Sequence, residues 1–290
     1  MKCRSCLIVG WMGTFFLFCV GCAAPPPMRV MTFNIRYGAA PDGENRWELR
    51  RQRVFDSIRA NDPDILGLQE VLDFQARELR AALPEYEFVG VGRDDGKEAG
   101  EYAPVMFRRK LFQVLEFGYL WLSPHPETPG EKGWDAACPR MVTWVRLGFK
   151  LAPLHSVYVF NTHFDHVGKR ARLESARILR KMTDALGGKP LIVMGDFNCG
   201  PDSPPYEVLT GNQGNLAELY DVYRLSGQPE AVAGTFNGFQ ETTSGPRIDW
   251  ILVSRRMEAL KCTIDQRMID AHYPSDHFPV TAEVRVLAAW

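Results

Sequence analysis

Apolar and polar positions alternate along this chain with two different periods. Short runs of strand length recur from Met28 onward: Arg29–Asn34, Ile65–Gln69, Glu87–Val91, Val105–Arg108, Phe112–Tyr119, Met141–Phe149, His155–Thr162, Leu191–Met194, Ile248–Val253 and Val280–Val284. Between them lie segments in which apolar residues return every three to four positions, the spacing of a helix that buries one face. Trp47–Ala60 carries such a stripe in Val54, Phe55 and Ile58, and Pro63 blocks its continuation. A second helix is predicted through Phe74, Leu79 and Leu83. A third, the clearest, covers Arg170–Leu186 with Leu173, Ala176, Ile178 and Leu179 as its stripe. Pro126–Pro139, rich in Gly, Pro and charge, reads as a loop over an open sheet edge.

No linker, charge block or low-complexity segment interrupts the chain after Pro27, so residues 28–290 read as one domain. Mixed strands with long interspersed helices predict an α+β architecture. In this four-layer α/β/β/α sandwich, two mixed sheets pack face to face with helices outside. The competitor, a doubly wound nucleotide-binding fold, would place Gly-x-Gly-x-x-Gly after the first strand, and that string is missing there. The composition, 46% hydrophobic and 24% charged, is that of an ordinary folded protein. A formal net charge of -1 gives no global electrostatic case for gripping long nucleic acid, although a local basic groove stays compatible with it.

The N-terminus stands apart. Lys2 and Arg4 precede an apolar run from Leu7 to Val20, which is shorter than the roughly 20 residues a helix needs to cross a bilayer. Residues 1–21 therefore read as an export signal. Val20-Gly21-Cys22-Ala23 resembles a bacterial lipoprotein box, with Cys19 where Leu is usual. That resemblance implies a lipid anchor on Cys22 and a place on the periplasmic face of the outer membrane or the cell surface. Soluble secretion is the alternative. Residues 22–27 then form a tether stiffened by Pro25-Pro26-Pro27. Cys138, Cys199 and Cys262 lack the spacing of a zinc knuckle or redox pair and read as thiols, with one disulfide among them left open.

Several core-like strands finish in acidic, amide or imidazole side chains: Asn34-Ile35-Arg36, Gln69-Glu70, Thr162-His163, Asp196-Phe197-Asn198, Ile248-Asp249 and Asp276-His277. One such string alone is an ordinary turn. Six in one domain point to a site, because strand ends are fixed by the scaffold yet open to solvent. Glu70 and Asp276 are hard oxygen ligands suited to magnesium, manganese or calcium. His163 and His277 suit acid–base work near neutral pH, with Asp249 placed to orient His277. Asn34 and Asn198 suit phosphate oxygens or an attacking water, and Arg36 and Arg140 suit phosphoryl charge. No Ser or Cys stands in a nucleophile elbow, which favours activated water as the nucleophile.

These strings occur in the order of the endonuclease/exonuclease/phosphatase superfamily, which the chain resembles from Met28 to its C-terminus: TFNIR, LGLQE, EYAPVMFRR, PRMVTW, NTHFDH, GDFN, RIDWILVS and SDHFPV. The resemblance implies a DNase I-like fold and a divalent-metal-dependent hydrolase of phosphate esters. Phosphodiesterase is the first expectation. Secreted nuclease, sugar, inositol or lipid-headgroup phosphatase, and non-catalytic binding protein are the alternatives. It implies Glu70, Asn34 and Asp276 at a Mg2+ site, with Mn2+ or Ca2+ possible. His163 with Glu101 as its carboxylate partner, Asp196, Asn198 and the Asp249–His277 pair would be catalytic. Arg36, Arg140, Asn198 and His166 would contact phosphate or substrate. Asp202–Tyr206 reads as a rigid rim. Trp121, Trp134, Phe236 and Phe239 are candidate aromatic side chains at the mouth. No obligate protein partner is implied, and a monomer is expected.

Overall fold

Nearly every apolar run becomes a strand buried on both faces, which is why the runs are so uniformly apolar. The computed structural model describes residues 25–211, 218–229 and 234–287, so the expected signal segment and Cys22 lie outside the described residues. In chain order the elements are β1 (Met28–Asn34), α1 (Trp47–Asn61), β2 (Ile65–Gln69), α2 (Asp73–Ala82), β3 (Tyr86–Val89), β4 (Val105–Arg108), β5 (Phe112–Trp121), β6 (Met141–Phe149), β7 (Ala152–His163), α3 (Lys169–Asp184), β8 (Leu191–Asp196), α4 (Pro204–Thr210), β9 (Leu219–Asp221), α5 (Val222–Leu225), β10 (Asp249–Ser254), β11 (Met257–Ile264) and β12 (Val280–Val286). They form two six-stranded sheets, ordered β11-β12-β1-β2-β4-β3 and β5-β6-β7-β8-β10-β9. Both are mixed: β1 runs parallel to β2 and β7 to β8, while the other pairings are antiparallel.

Side-chain alternation sorts each strand between two cores. Val30, Ile65, Val145, Val159, Ile192 and Val253 meet between the sheets. Met31, Phe33, Leu66 and Leu68 point the other way, under Val54, Ile58 and Leu79 of the first two helices. Val193, Trp250 and Leu252 do the same under Leu179 of α3 and Leu209 of α4. The result is the four-layer α/β/β/α sandwich, with the DNase I-like arrangement of its sheets.

Four elements lie outside the sequence pattern. β9, α4 and α5 are only three to seven residues long, too short to show a period. The edge strand β11 buries only Met257 and Cys262, so it lacks an apolar run. Asp202–Tyr206 runs from a turn at Asp202 into a helix. Its prolines open α4, where Pro205 and Tyr206 are buried and the Tyr206 ring meets Trp250 edge-on at 5.0 Å. The Pro126–Pro139 loop meets the edge strand β5 only at its end, where Trp121 N–H donates to Pro126 O (2.8 Å), while Gln113–Phe117 stay exposed. Its other contacts run from Gly130 N–H to Arg93 O (3.2 Å) and from Ala171 N–H to Asp135 Oδ1 (2.7 Å).

Polar side chains clip the sheets together near that end. Buried Asn161 on β7 donates across the interface to Leu68 O (2.7 Å) and Pro104 O (2.8 Å), and accepts from Gln69 Nε2 (2.7 Å). Gln69 also donates to Thr32 Oγ1 (3.0 Å). Gly67 makes room for the clip, because a Cβ there would sit 2.7 Å from Asn161 Oδ1 and 2.8 Å from Met194 Cε. Asn161→Ala removes three buried hydrogen bonds, those to Leu68 O, Pro104 O and from Gln69, so it should cost about 2–4 kcal/mol in urea unfolding. A loss below about 0.5 kcal/mol would show that the clip is dispensable.

Candidate active site

The strand directions bring β1, β2, β7 and β8 to an end on the same side, where β10 begins and the chain enters β12. Asn34, His163 and Asp196 terminate β1, β7 and β8, Asp249 opens β10, and Glu70 and His277 sit one to three residues outside β2 and β12. Here the chain must leave the pleat abruptly. Arg36, Glu70 and Asn198 take φ values of 62°, 62° and 51°, the left-handed region that costs non-glycine residues about 1 kcal/mol each. Gly195 is needed beside them: its φ is 152° and a Cβ would lie 2.1 Å from Thr162 O. The ends enclose a cavity of about 640 Å³ that Glu70, Glu101, Arg140, His163, Asn198 and Asp276 line among others.

Asp196 is the centre of the cluster. Its Oδ1 accepts from Asn198 N–H (2.9 Å) and its Oδ2 from Asn34 Nδ2 (3.0 Å). The same Oδ2 lies 3.4 Å from His163 Nε2 and 3.7 Å from His277 Nε2. Burial and neighbouring Asp249 push its carboxyl up to about 7. Asn34 Nδ2 also donates to Glu70 Oε1 (3.0 Å), while Asn34 Oδ1 accepts from Arg36 N–H (2.9 Å). Asn34 therefore ties the carboxylates to each other, and its own oxygen keeps one lone pair beyond the bond from Arg36. Tyr37 N–H holds the second oxygen of Glu70 at 2.6 Å.

His277 Nδ1 bonds Asp249 Oδ2 at 2.9 Å, which aims Nε2 at Asp196. Burial disfavours its imidazolium, but Asp249 and Asp196 outweigh that and hold its pKa well above the usual histidine value. His163 is the opposite case. Burial, then Arg140 and Arg93, drive its pKa well below the usual value and keep it neutral. The Asn198 amide donates to its Nε2 (3.0 Å) and to Phe164 O (3.0 Å), which spends both amide hydrogens and leaves only Oδ1 for a ligand. Two nearby histidines are thus set to different charge states.

The remaining expected residues fall into place unevenly. Glu101 Oε2 lies 3.9 Å from His163 Nδ1, a buried atom with no hydrogen-bond partner. Both Glu101 oxygens accept instead from Arg93, at 2.6 and 2.8 Å. Arg140 approaches Asp165 (3.5 Å) and His166 Nδ1 (3.0 Å), and its Nη1 is buried without a partner beside the cavity. Arg36 is largely neutralised, by a two-pronged bond to Asp42 (2.9 and 3.0 Å) and by Asp276 at 3.5 Å. Burial, opposed by His277 and reinforced by Glu70, pushes Asp276 up. Phe236 reaches the mouth, edge-on to His277 at 5.1 Å. Trp121 is buried under the Arg93 carbonyl, and Phe239 lies against Arg50, so neither is an aromatic wall.

Sequence reasoning missed Arg93, Asp42 and Arg50. Arg50 is fully buried and donates to the carbonyls of Ile35 (2.6 Å), Arg36 (3.0 Å), Asn45 (2.8 Å) and Pro274 (3.2 Å), bracing the turn that carries Arg36. Its place on the inner side of α1 was readable only as a charge in an apolar stripe. Arg93 sits in a Gly- and Asp-rich loop with no period, and nothing in the string signals its partner. Cys138 and Cys199 also line the cavity, and Cys138, Cys199 and Cys262 are all free thiols.

A buried carboxylate shared by two histidines, at the strand ends of this sandwich, is the frame of a phosphoester hydrolase. The model of the Endonuclease/Exonuclease/phosphatase family matches residues 31–277, and the chain belongs to that family. An endonuclease/exonuclease/phosphatase from Bacteroides vulgatus is 39% identical with a TM-score of 0.84, covering 90% of this chain and 100% of that one. The mannosyl-6-phosphatase of Bacteroides thetaiotaomicron is 33% identical with a TM-score of 0.80, covering 89% and 99%. Nocturnin from Rattus norvegicus is 24% identical over 89% of this chain, which spans only 65% of that curated relative.

Asp249→Asn keeps the side-chain volume but removes the charge that sustains the His277 imidazolium. It should lower kcat by about 10²-fold or more and move the alkaline limb of the pH–rate profile to lower pH, since a less supported imidazolium loses its proton sooner. An unchanged alkaline limb would remove His277 from the chemistry.

Proposed function

We propose that the chain is a divalent-metal-dependent phosphoesterase that attacks a small, sugar-sized phosphate ester with activated water. The observation that carries this reading is Asp196 Oδ2, held by Asn34 and facing the Nε2 atoms of both His163 and His277 within 3.7 Å. A water beside that oxygen would meet a base on one side and two imidazoles on the other.

The donor chemistry fits a hard cation. Glu70 is held in place by neutral N–H donors only, Asp196 lies next to it through the shared Asn34 amide, and Asp276 lines the same cavity. Glu70, helped by Asp276 and the remaining lone pair of Asn34 Oδ1, would hold Mg2+ or Mn2+, and the ion would offset the charge on the phosphoryl oxygens. The Asn34 amide also keeps Asp196 beside Glu70. The rest of the work belongs to the protein. Asp196 takes the proton from water as the water oxygen bonds to phosphorus. The P–O bond to the alcohol breaks, and His277, oriented by Asp249, gives its Nε2 proton to the departing alkoxide oxygen. Neutral His163 holds the Asn198 amide, whose free Oδ1 accepts from a hydroxyl of the ester. Arg140 Nη1 is a cationic donor available to a phosphate oxygen.

Size and charge favour a small ester. The cavity of about 640 Å³ would hold a phosphorylated sugar. Two of the arginines that border it are already matched, Arg36 by Asp42 and Arg93 by Glu101, which leaves little cationic charge for a polyanion track. The mannosyl-6-phosphatase relative supports the same substrate class.

Hexose 6-phosphates, p-nitrophenyl phosphate, bis-p-nitrophenyl phosphate, supercoiled DNA and RNA form the test panel, each with Mg2+, Mn2+, Ca2+ or EDTA. Metal-dependent release of phosphate from the sugar esters is expected, abolished by EDTA and reduced by about 10³-fold in Glu70→Ala. Faster cleavage of nucleic acid than of any small ester would overturn the substrate class. Full activity in EDTA would overturn the metal.

A further inference from the structure

The end of the sandwich opposite the cavity carries features that the chemistry does not use. The chain emerges there, because β1 starts at Met28 on that side and finishes at Asn34 in the site. The connections 109–111, 150–151, 187–190 and 255–256, with residues 152–154 that open β7, lie at the same end, since β5, β7, β8 and β11 all begin there. Leu151 and Leu154 are 77% and 78% exposed at its tip. At the same end stand the exposed Lys110, Lys150, Lys189, Arg255 and Arg256, together with Arg109, which is paired with Glu87 at 2.9 Å, against exposed Asp62 and Glu85. In a chain of formal net charge -1, that end is a basic, apolar-tipped surface. Single exposed leucines are ordinary. Two of them at the cation-rich end where the chain enters are a different matter.

The lipoprotein-type string fixes what meets this surface. Cys22 precedes the buried Pro25 by three residues, which even fully extended span only about 11 Å. A lipid on Cys22 would therefore hold this end within about 11 Å of the hydrocarbon, a distance filled largely by headgroups. Cations at such a surface are attracted by anionic lipid, and leucine side chains gain by insertion.

We infer that the 109–111, 150–154, 187–190 and 255–256 end of the sandwich is a docking face for the anionic phospholipid surface in which the chain is anchored, so that the cavity opens away from the membrane. The inference rests on the lipid anchor and on the substrate reading only for its corollary. The phosphate ester arrives from solution, and headgroups of the anchoring membrane are out of reach. β7 alone, twelve residues long, separates the two ends by about 40 Å at the rise of a strand.

The test uses the mature acylated protein, reconstituted into vesicles of phosphatidylcholine alone or with phosphatidylglycerol, and read by amide hydrogen exchange. Exchange at 150–154 and 255–256 should slow about tenfold when phosphatidylglycerol is present. The site-end loops 197–200 and 236–240 should not change. Leu151→Ser with Leu154→Ser, Lys110→Glu and Arg255→Glu should abolish the protection while turnover of a soluble ester is kept. Equal exchange in both vesicles, protection of the site-end loops, or hydrolysis of vesicle lipid headgroups would overturn the docking face. A mature chain without lipid on Cys22 would remove the tether and the inference with it. Failure of the substrate reading would appear as lost turnover with the exchange pattern intact.

Discussion

One amide nitrogen holds the site together. Asn34 Nδ2 donates to Glu70 in its own sheet and to Asp196 in the facing sheet, both at 3.0 Å. Without it, two carboxylates would face each other in a partly desolvated space, where like charges repel far more strongly than in water. The bond also fixes the sheets against each other at the end where the chemistry lies. The Asn161–Gln69–Thr32 clip does the same one layer deeper, so the sandwich is pinned by polar bonds just below its functional surface. An apolar core alone resists sliding weakly, because hydrophobic contact has no direction. Directional bonds supply the registry that two converging carboxylates require.

The fold was legible because its strands are buried on both faces and its helices on one. Val30, Met31 and Phe33 are apolar for different reasons, since Val30 faces the other sheet and its two neighbours face α1 and α2, yet the string reads as one strand. The elements that stayed hidden are those whose burial is partial or whose length is below a period, namely β9, β11, α4 and α5. The site was legible for a related reason. Asn34, Glu70, His163 and Asp196 end or follow apolar strands and Asp249 opens one, so each stands out against its neighbours. Arg93 and Asp42 come from loops, where a charged residue is unremarkable, and only the folded chain shows that they are matched to Glu101 and Arg36. Sequence context can reveal a residue that is out of place locally; it cannot reveal which partner neutralises it.

That neutralisation alters the chemistry expected from a residue list. Arg36, Arg93 and Arg140 all border one cavity, and counted as charges they would suit a polyphosphate. Arg36 is spent on Asp42 and Asp276, and Arg93 on Glu101. Arg140, whose nearest carboxylate is Asp165 at 3.5 Å, keeps a buried Nη1 donor without a partner. The histidines divide in the same way. His277 is held as a cation by Asp249, and His163, crowded by Arg140 and Arg93, is held neutral. Identity of side chain fixes which chemistry is possible, and the neighbours fix which form is present.

The two ends of the sandwich follow from this as opposites of one constraint. Strand ends that hold buried carboxylates must be braced tightly, by left-handed turns at Arg36, Glu70 and Asn198 and by the buried Arg50 guanidinium behind them. Such an end cannot also be a yielding contact surface, because any push on it would shift hydrogen bonds of 3.0 Å that set the pKa values. The opposite end has no such duty. It is free to carry exposed leucines and lysines, with the rigid strands between keeping disturbance away from the cavity. A sheet transmits position along its strands but little deformation, since each residue is bonded on both sides and packed above and below. The sandwich thereby lets one chain hold a strained, charge-dense site at one end and a soft basic face at the other.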